Sequence, residues 1–505
     1  MKIFNSSVVS LLAIILFGFA PKCYAQQEEV DSFQFEISGI LLDGKTKEPL
    51  PYANIVIERL NKGGITNEVG KFSMDSKGVL LSDSITFLYI GYKTKKVPIT
   101  SFKDNPEVLL EEDIKSLNKV FVFATPPNPK DIVKKVLENK DKNYGDSWKR
   151  EKTFVRNRYV SDINDYELNY KKSTISQIDE AMIQQMEDKT PRHSTSYTDV
   201  LMNVYHSGNS SDSNTVKAKS IKTVSLKEKE IAGMEQMEEI FEDVFAQGNK
   251  DEYWKFKTGI LSFKMDSNDI EITKDTNKPE NSIYATRLNY MVKRANRYSS
   301  FEKEKDWDFL YSTGKYHYEL VGGTNVGDED VYVIDFTPKG GGLYEGRMYV
   351  SVNTYALIRA DYQYGVGKVG MDVHILGIGH TENIFVGSVL FERVDSTYEL
   401  KYCSKKTGED NQVDRTFALL KKRKRFLLDK TVKEIKVGLT LEVSEEYSFE
   451  YLVLDRKSLM PSQFEIAKVP EYVLVTYVDQ FDASLWEGYS VIEPTKQMRD
   501  YRKKE

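Results

Sequence analysis

The stretch "GILLDGKT", Gly39 to Thr46, satisfies the spacing G-x-x-x-x-G-K-[ST] at every fixed position. That spacing belongs to loops whose backbone N–H groups cradle nucleotide phosphates. The chemistry requires small residues through the loop and a helix after it, so that the amides curl around the anion. Here Ile40, Leu41 and Leu42 are bulky strand residues, and Pro49 and Pro51 prevent the helix. The expectation is a turn around Asp43-Gly44 with Lys45 in solvent. "GVGKVG", Gly365 to Gly370, fits G-x-G-x-x-G, but the following "MDVHILGIG" reads as a strand where a dinucleotide site needs a helix. A glycine-rich turn is predicted there, and no cofactor is expected.

Metal and nucleophile chemistry finds little support. His317 and Glu319, and His380 and Glu382, each share a strand face, but a catalytic metal usually takes three protein ligands. All five histidines read as surface residues, and neither H-E-x-x-H nor G-x-S-x-G occurs. Cys403 lies mid-strand with no histidine close in sequence. The 77 acidic residues keep a spatially assembled acid pair open, so a hydrolase with scattered catalytic residues stands as an alternative.

Two other groups of side chains suggest binding. Met182 and Met186 fall on one face of a helix predicted near 176–188. Met234 and Met237 fall on the stripe of a second, near 226–247. Such faces are either ordinary core or an adaptable apolar cover over a cleft. The run Lys421, Lys422, Arg423, Lys424 and Arg425 is either a solvated strand end or a contact for anionic lipid headgroups.

The elements that must position these residues begin after an export signal. Lys2, the apolar run Val8–Ala20 and the small residues around "CYA" predict a signal peptide over residues 1–25, cleaved before Gln26. The run is too short to span a bilayer, and no transmembrane span is expected after cleavage. Lipidation at Cys23 fits poorly beside Lys22. The remaining chain keeps one cysteine, Cys403, so no internal disulfide is expected. The formal charge of −6 argues against nucleic acid. The 31 tyrosines and 25 phenylalanines favour strands.

Residues 34–112 read as short alternating strands. The tight connection "TNEVGKF" has Asn67 as an Asx-turn former and Gly70 free to take positive φ. Gly39, Asp43, Thr46, "PLPYANIVI", "TNEVGKF" and "YIGYKT" together resemble the carboxypeptidase-like regulatory domain. That resemblance implies a non-catalytic, immunoglobulin-like β-sandwich of the kind found at the N-terminus of envelope proteins. A stiff linker, 113–130, follows. Asn128 is set to cap a helix with Pro129 at its first turn and Ile132, Val133 and Val136 on its apolar face.

Residues 131–505 then read as a larger antiparallel, β-rich α+β domain with the two methionine helices as insertions. The order of one helix followed by a long meander resembles the half-barrel of the outer-membrane lipoprotein carrier superfamily. The fold expectation is therefore mainly β: a sandwich joined to a half-barrel-like sheet. The functional expectation is a non-enzymatic protein of the periplasm or the periplasmic face of the outer membrane. Its partners would be a lipid or acyl-bearing ligand, a peptide-like ligand, or an outer-membrane protein. A scaffold without a small ligand is the other reading.

Overall fold

The computed structural model describes residues 37–501 apart from 61, 104–105, 115–126, 146, 209–214, 227–250, 266–276, 303–305, 327–328, 487–488 and 490. The signal segment lies outside the described residues, as does the helix expected over 226–247, with Met234 and Met237, apart from Leu226, which ends a strand.

Seven strands build the sandwich: β1 Ile37–Asp43, β2 Asn54–Ile57, β3 Lys62–Ile65, β4 Lys71–Met74, β5 Ser84–Leu88, β6 Lys95–Pro98 and β7 Glu107–Leu110. One sheet is ordered β4-β1-β7 and the other β3-β2-β5-β6. Phe72, Phe87 and Phe102 pack edge-on and stacked between them. The phosphate-loop pattern is accounted for by this packing. Asp43 Oδ1 accepts from Lys45 N and Thr46 N at 2.7 Å each, and its Oδ2 accepts from Tyr92 at 2.7 Å. Two amides that a phosphate would need are already bound to the chain's own carboxylate. Gly39 is required because a Cβ would sit 2.8 Å from the Phe72 ring and from Pro106 O. Asn67 closes its Asx turn by accepting from Val69 N and Lys71 N, with Gly70 at φ 74°.

The second unit is one large open sheet. Its strands are β8 Lys149–Ser173, β9 His193–His206, β10 Val216–Leu226, β11 Glu252–Thr258, β12 Leu261–Met265, β14 Tyr316–Val326, β15 Glu329–Pro338, β16 Tyr344–Ser351, β17 Leu357–Tyr364, β18 Asp372–Ile375, β19 Ile378–Val394, β20 Thr397–Arg423, β21 Lys430–Ser458 and β23 Thr476–Val478. The order runs β14-β15-β16-β17-β19-β20-β21-β8-β9-β10-β23, with β11–β12 on the edge of β20 and β18 on β19. A separate pair joins β13 Ser282–Tyr284 to β22 Tyr472–Leu474. The sheet does not close into a barrel. At about 3.3 Å per residue, the 27-residue β20 extends roughly 90 Å. The far ends of β8, β20 and β21 therefore project as an arm well beyond the main core.

Seven α-helices are described: α1 Pro129–Glu138, α2 Lys140–Asn143, α3 Glu180–Lys189, α4 Thr286–Ser299, α5 Asp308–Tyr311, α6 Pro461–Ile466 and α7 Lys496–Arg499. Helix α1 begins as the sequence implies, with Asn128 accepting from Lys130 N and Pro129 in the first turn. Helix α4 was not anticipated, because the chain beyond Trp254 reads as strands. It buries Leu288, Val292 and Ala295 against the sheet. With Ile132, Val133 and Val136 of α1, and Trp307 and Phe309 at α5, it fills one face of the sheet. Phe309 stacks on Phe336 at 4.3 Å.

The opposite face carries the sandwich. Cross-strand register aligns Asp335, Arg347, Asp361, Ser388, Ser404, Glu450, Arg156 and Asp199 in one polar row over eight strands. Arg156 binds Asp199 through two bonds of 2.8 and 2.7 Å. Arg359, almost fully buried, pairs with Asp361 and donates to Pro51 O and Tyr89 of the sandwich. Tyr52, held at φ 60°, stacks on Tyr402 at 4.8 Å. Glu493 O accepts from both Asn67 of the sandwich and Arg156 of the sheet. The sandwich is thus clasped to the sheet by buried polar contacts.

Candidate functional site

The side chains proposed from sequence are placed in different parts of the molecule. Met182 and Met186 lie on α3, which begins at Glu180 with Asp179 as its cap. They pack, half-buried, against a small cluster of Ile175, Ile178, Ile183, Trp254 and Ile435 on the arm. The basic run closes the arm's far end. Lys421 is buried and reaches Glu252 at 3.3 Å, and Arg423 meets the same carboxylate at 2.7 Å. Lys424 and Arg425 are exposed in the hairpin loop, and Lys422 is half-buried on β20.

The histidine expectation is corrected at one position. His206 is buried, not at the surface, and Nε2 lies 2.9 Å from Glu151. Residue spacing could not reveal this, since Glu151 is 55 residues away and the neighbouring strands β8 and β9 bring the two together. Arg456 joins Glu151, Glu392 and Glu399 at 2.8, 2.6 and 2.7 Å. Lys149 reaches Glu399 at 2.8 Å, and Ser147 donates to the same carboxylate. Burial alone would raise the Glu151 carboxyl. His206, Lys149 and Arg456 outweigh it and hold the group well below its ordinary range. Glu399 is lowered in the same way, burial opposing and Lys149 and Arg456 prevailing.

This network floors a cleft of about 660 Å³ between the sheet end, α2 and the C-terminal turn of α4. Tyr144, Phe301, Phe391, Tyr398 and Tyr451 give it aromatic walls. Asn296, Arg297 and Ser300 stand at α4's end. The Tyr451 hydroxyl is buried beneath this cleft beside that of Thr153.

A second cleft, about 690 Å³, opens on the sandwich face near α7. There Thr195 Oγ1 lies 3.0 Å from His193 Nε2, and His193 Nδ1 lies 2.5 Å from Asp162. The sequence reading missed this hydroxyl–imidazole–carboxylate chain, although His193 and Thr195 stand at the i, i+2 spacing of one strand face. The same cleft is lined by Glu409, Asp410, Glu445 and Glu446. Glu446 is paired with Arg158 and Lys406, and the remaining acidic lining opposes the negative charge that develops when a hydroxyl attacks a carbonyl. Among the described residues, no group of three or more His, Cys, Asp or Glu side chains is placed to hold a metal ion. Cys403 is buried, which pushes its thiol up and away from nucleophilic chemistry. No helix among the described residues is long and apolar enough to cross a membrane.

Comparison with curated proteins finds no match. Among solved structures, the LolA superfamily protein NE2245 from Nitrosomonas europaea is similar at 9% identity and a TM-score of 0.16. The match covers 68% of this chain and 99% of that one. Pseudomonas aeruginosa MucB, solved with MucA, is similar at 8% identity and a TM-score of 0.16, covering 63% and 93%. Values this low carry no argument about the large sheet. The N-terminal sandwich is different: residues 37–122 match the family model of the CarboxypepD_reg-like domain, as its turn residues imply.

Proposed function

We propose that this is a non-enzymatic binding protein of the cell envelope, and that its ligand is a peptide-like segment held in the cleft at the end of α4. The observation that carries this reading is the cleft's lining, aromatic walls of Tyr144, Phe301, Phe391 and Tyr398 beside a polar floor of Ser147, Lys149 and Glu399. Aromatic walls beside a polar floor suit a chain that alternates apolar side chains with hydrogen-bonding backbone. An acyl chain would need a continuous apolar channel, and α1, α4 and α5 already occupy that face of the sheet. The export signal read in residues 1–25 supports the envelope location.

The scaffold reading keeps one specific support. The filled sheet face and the clasped sandwich would also suit a rigid spacer.

The test is fluorescence polarisation with labelled peptides selected from a random displayed library, alongside a fluorescent fatty-acyl probe. Asn296 is exposed at the cleft mouth, so Asn296→Trp obstructs it without entering the core. Peptide binding that Asn296→Trp abolishes, without acyl binding, is the expected outcome. Peptide binding unaffected by that change, or acyl binding alone, would refute the proposal.

A further inference from the structure

The longest run of exposed large apolar residues on the arm is at its tip. The loop 424–429 joins β20 to β21 after the last register pairs, Lys422 with Thr431 and Arg423 with Lys430. Phe426, Leu427 and Leu428 are 101%, 87% and 84% exposed, three consecutive large apolar side chains with no packing partner among the described residues. The loop is nonetheless braced. Lys424 N donates to Asp251 O, Arg425 N to Asp429 Oδ1, and Tyr253 to Asp429 Oδ2 at 2.6 Å. Its apex is held outward instead of folding back onto the nearby cluster around Trp254.

Charge surrounds this apex on one side only of the balance. From Lys421 to Lys436 there are eight basic residues and two acidic ones, in a chain of net charge −6. Lys424, Arg425 and Lys430 are exposed beside the apolar triplet. Water alone is a poor neighbour for a fixed Phe-Leu-Leu apex. An apolar point ringed by cations matches the bilayer interface, where acyl chains lie beneath anionic headgroups.

We propose that the β20–β21 tip is an interfacial anchor: it inserts Phe426, Leu427 and Leu428 into a bilayer while the flanking lysines and arginines meet anionic headgroups. The basic run seen in sequence is then the collar of the anchor, with Lys421 and Arg423 spent on Glu252 and Lys424, Arg425 and Lys430 facing lipid. The arm places this contact far from the α4 cleft, so the anchor stands or falls independently of the peptide reading.

The experiment uses the chain beginning at Gln26, in which buried Cys403 is the one native cysteine. Phe426→Cys is labelled with a polarity-sensitive nitrobenzoxadiazole dye and titrated with two kinds of vesicle. One is phosphatidylcholine alone; the other also contains phosphatidylglycerol. The proposal expects a blue shift and brightening with the phosphatidylglycerol vesicles and much less with phosphatidylcholine. In co-flotation with the same vesicles, Phe426→Ser/Leu427→Ser/Leu428→Ser should lower binding by about 100-fold or more. Lys424→Gln/Arg425→Gln should remove the preference for phosphatidylglycerol. Because the replaced side chains are exposed, both variants should keep the parent's circular dichroism and its behaviour toward cleft peptides. No dye response to either vesicle would overturn the anchor. An equal response to both would overturn the role of the basic collar. A response only to detergent-solubilised outer-membrane protein would reassign the tip to a protein partner.

Discussion

Glu450 offers the sharpest perturbation of the interface between the sandwich and the sheet. It stands in the polar row between Ser404 and Arg156, beneath the sandwich. Tyr402 donates to its Oε1 at 3.2 Å. Arg156 is committed to Asp199 by two short bonds, so it favours the Glu450 charge without pairing with it. Burial, and then the carboxylates of Glu68 on the sandwich and Asp199 on β9, outweigh Arg156 and push the Glu450 carboxyl up to about 7. Tyr52, stacked on Tyr402, completes the groups around it.

The sign follows from linkage. A carboxyl whose pKa is raised on folding binds a proton in the folded state that the unfolded chain has already lost. Stability therefore falls as pH rises from about 4.5 to about 7, and levels off above. At about 1.4 kcal/mol per unit the full effect is roughly 3 kcal/mol, and partial solvent access reduces it to about 1–3 kcal/mol. Glu450→Gln keeps an oxygen for Tyr402 and removes the charge. It should stabilise the protein by about 1–3 kcal/mol at pH 8, change little at pH 4.5, and flatten the slope between. Urea denaturation of both proteins at four pH values, read by tyrosine fluorescence and circular dichroism, measures this. A variant less stable than the parent at pH 8 would mean that Glu450 is a net ion-pair partner of Arg156, and the assignment of that arginine to Asp199 would be wrong.

Other expectations concern the sandwich and the joint. Gly39→Ala should cost about 1–3 kcal/mol, because the added methyl meets the Phe72 ring and Pro106 O. Lys45→Ala, in an exposed turn, should move the melting point little and create no response to ATP. A thermal-shift assay reads both; protection by ATP that Lys45→Ala removes would restore the phosphate-loop reading. Proteolysis within 117–131 should yield two fragments that still co-elute on size exclusion, because Arg359, Tyr52 and Asn67 hold the sandwich to the sheet. Fragments that separate would show the clasp to be weak.

Local chemistry was legible and assembled chemistry was not. Asn128-Pro129 and Asn67 with Gly70 announce a helix start and a turn through interactions within a few residues. The failed phosphate loop was legible for the same reason, since Leu41 and Pro49 forbid its neighbours. Helix α4 was overlooked because the surrounding strands dominate. Leu288, Val292 and Ala295, spaced i, i+4, i+7 in a stretch without glycine or proline, would have signalled it. The cleft network was out of reach. Glu151 and Arg456 are 305 residues apart and meet only through the β8–β21 register. The polar row from Asp335 to Asp199 takes one residue from each of eight strands, and alternation along a strand says nothing about which rungs align.

Hydrogen–deuterium exchange with and without a library-selected peptide tests ligand binding in the cleft at the end of α4 most directly. The predicted result is slowed exchange in 140–151, 296–302 and 398–400, with the arm tip at 424–429 unchanged. Slowed exchange confined to the arm, or to the acidic cleft around His193 and Thr195, would contradict it.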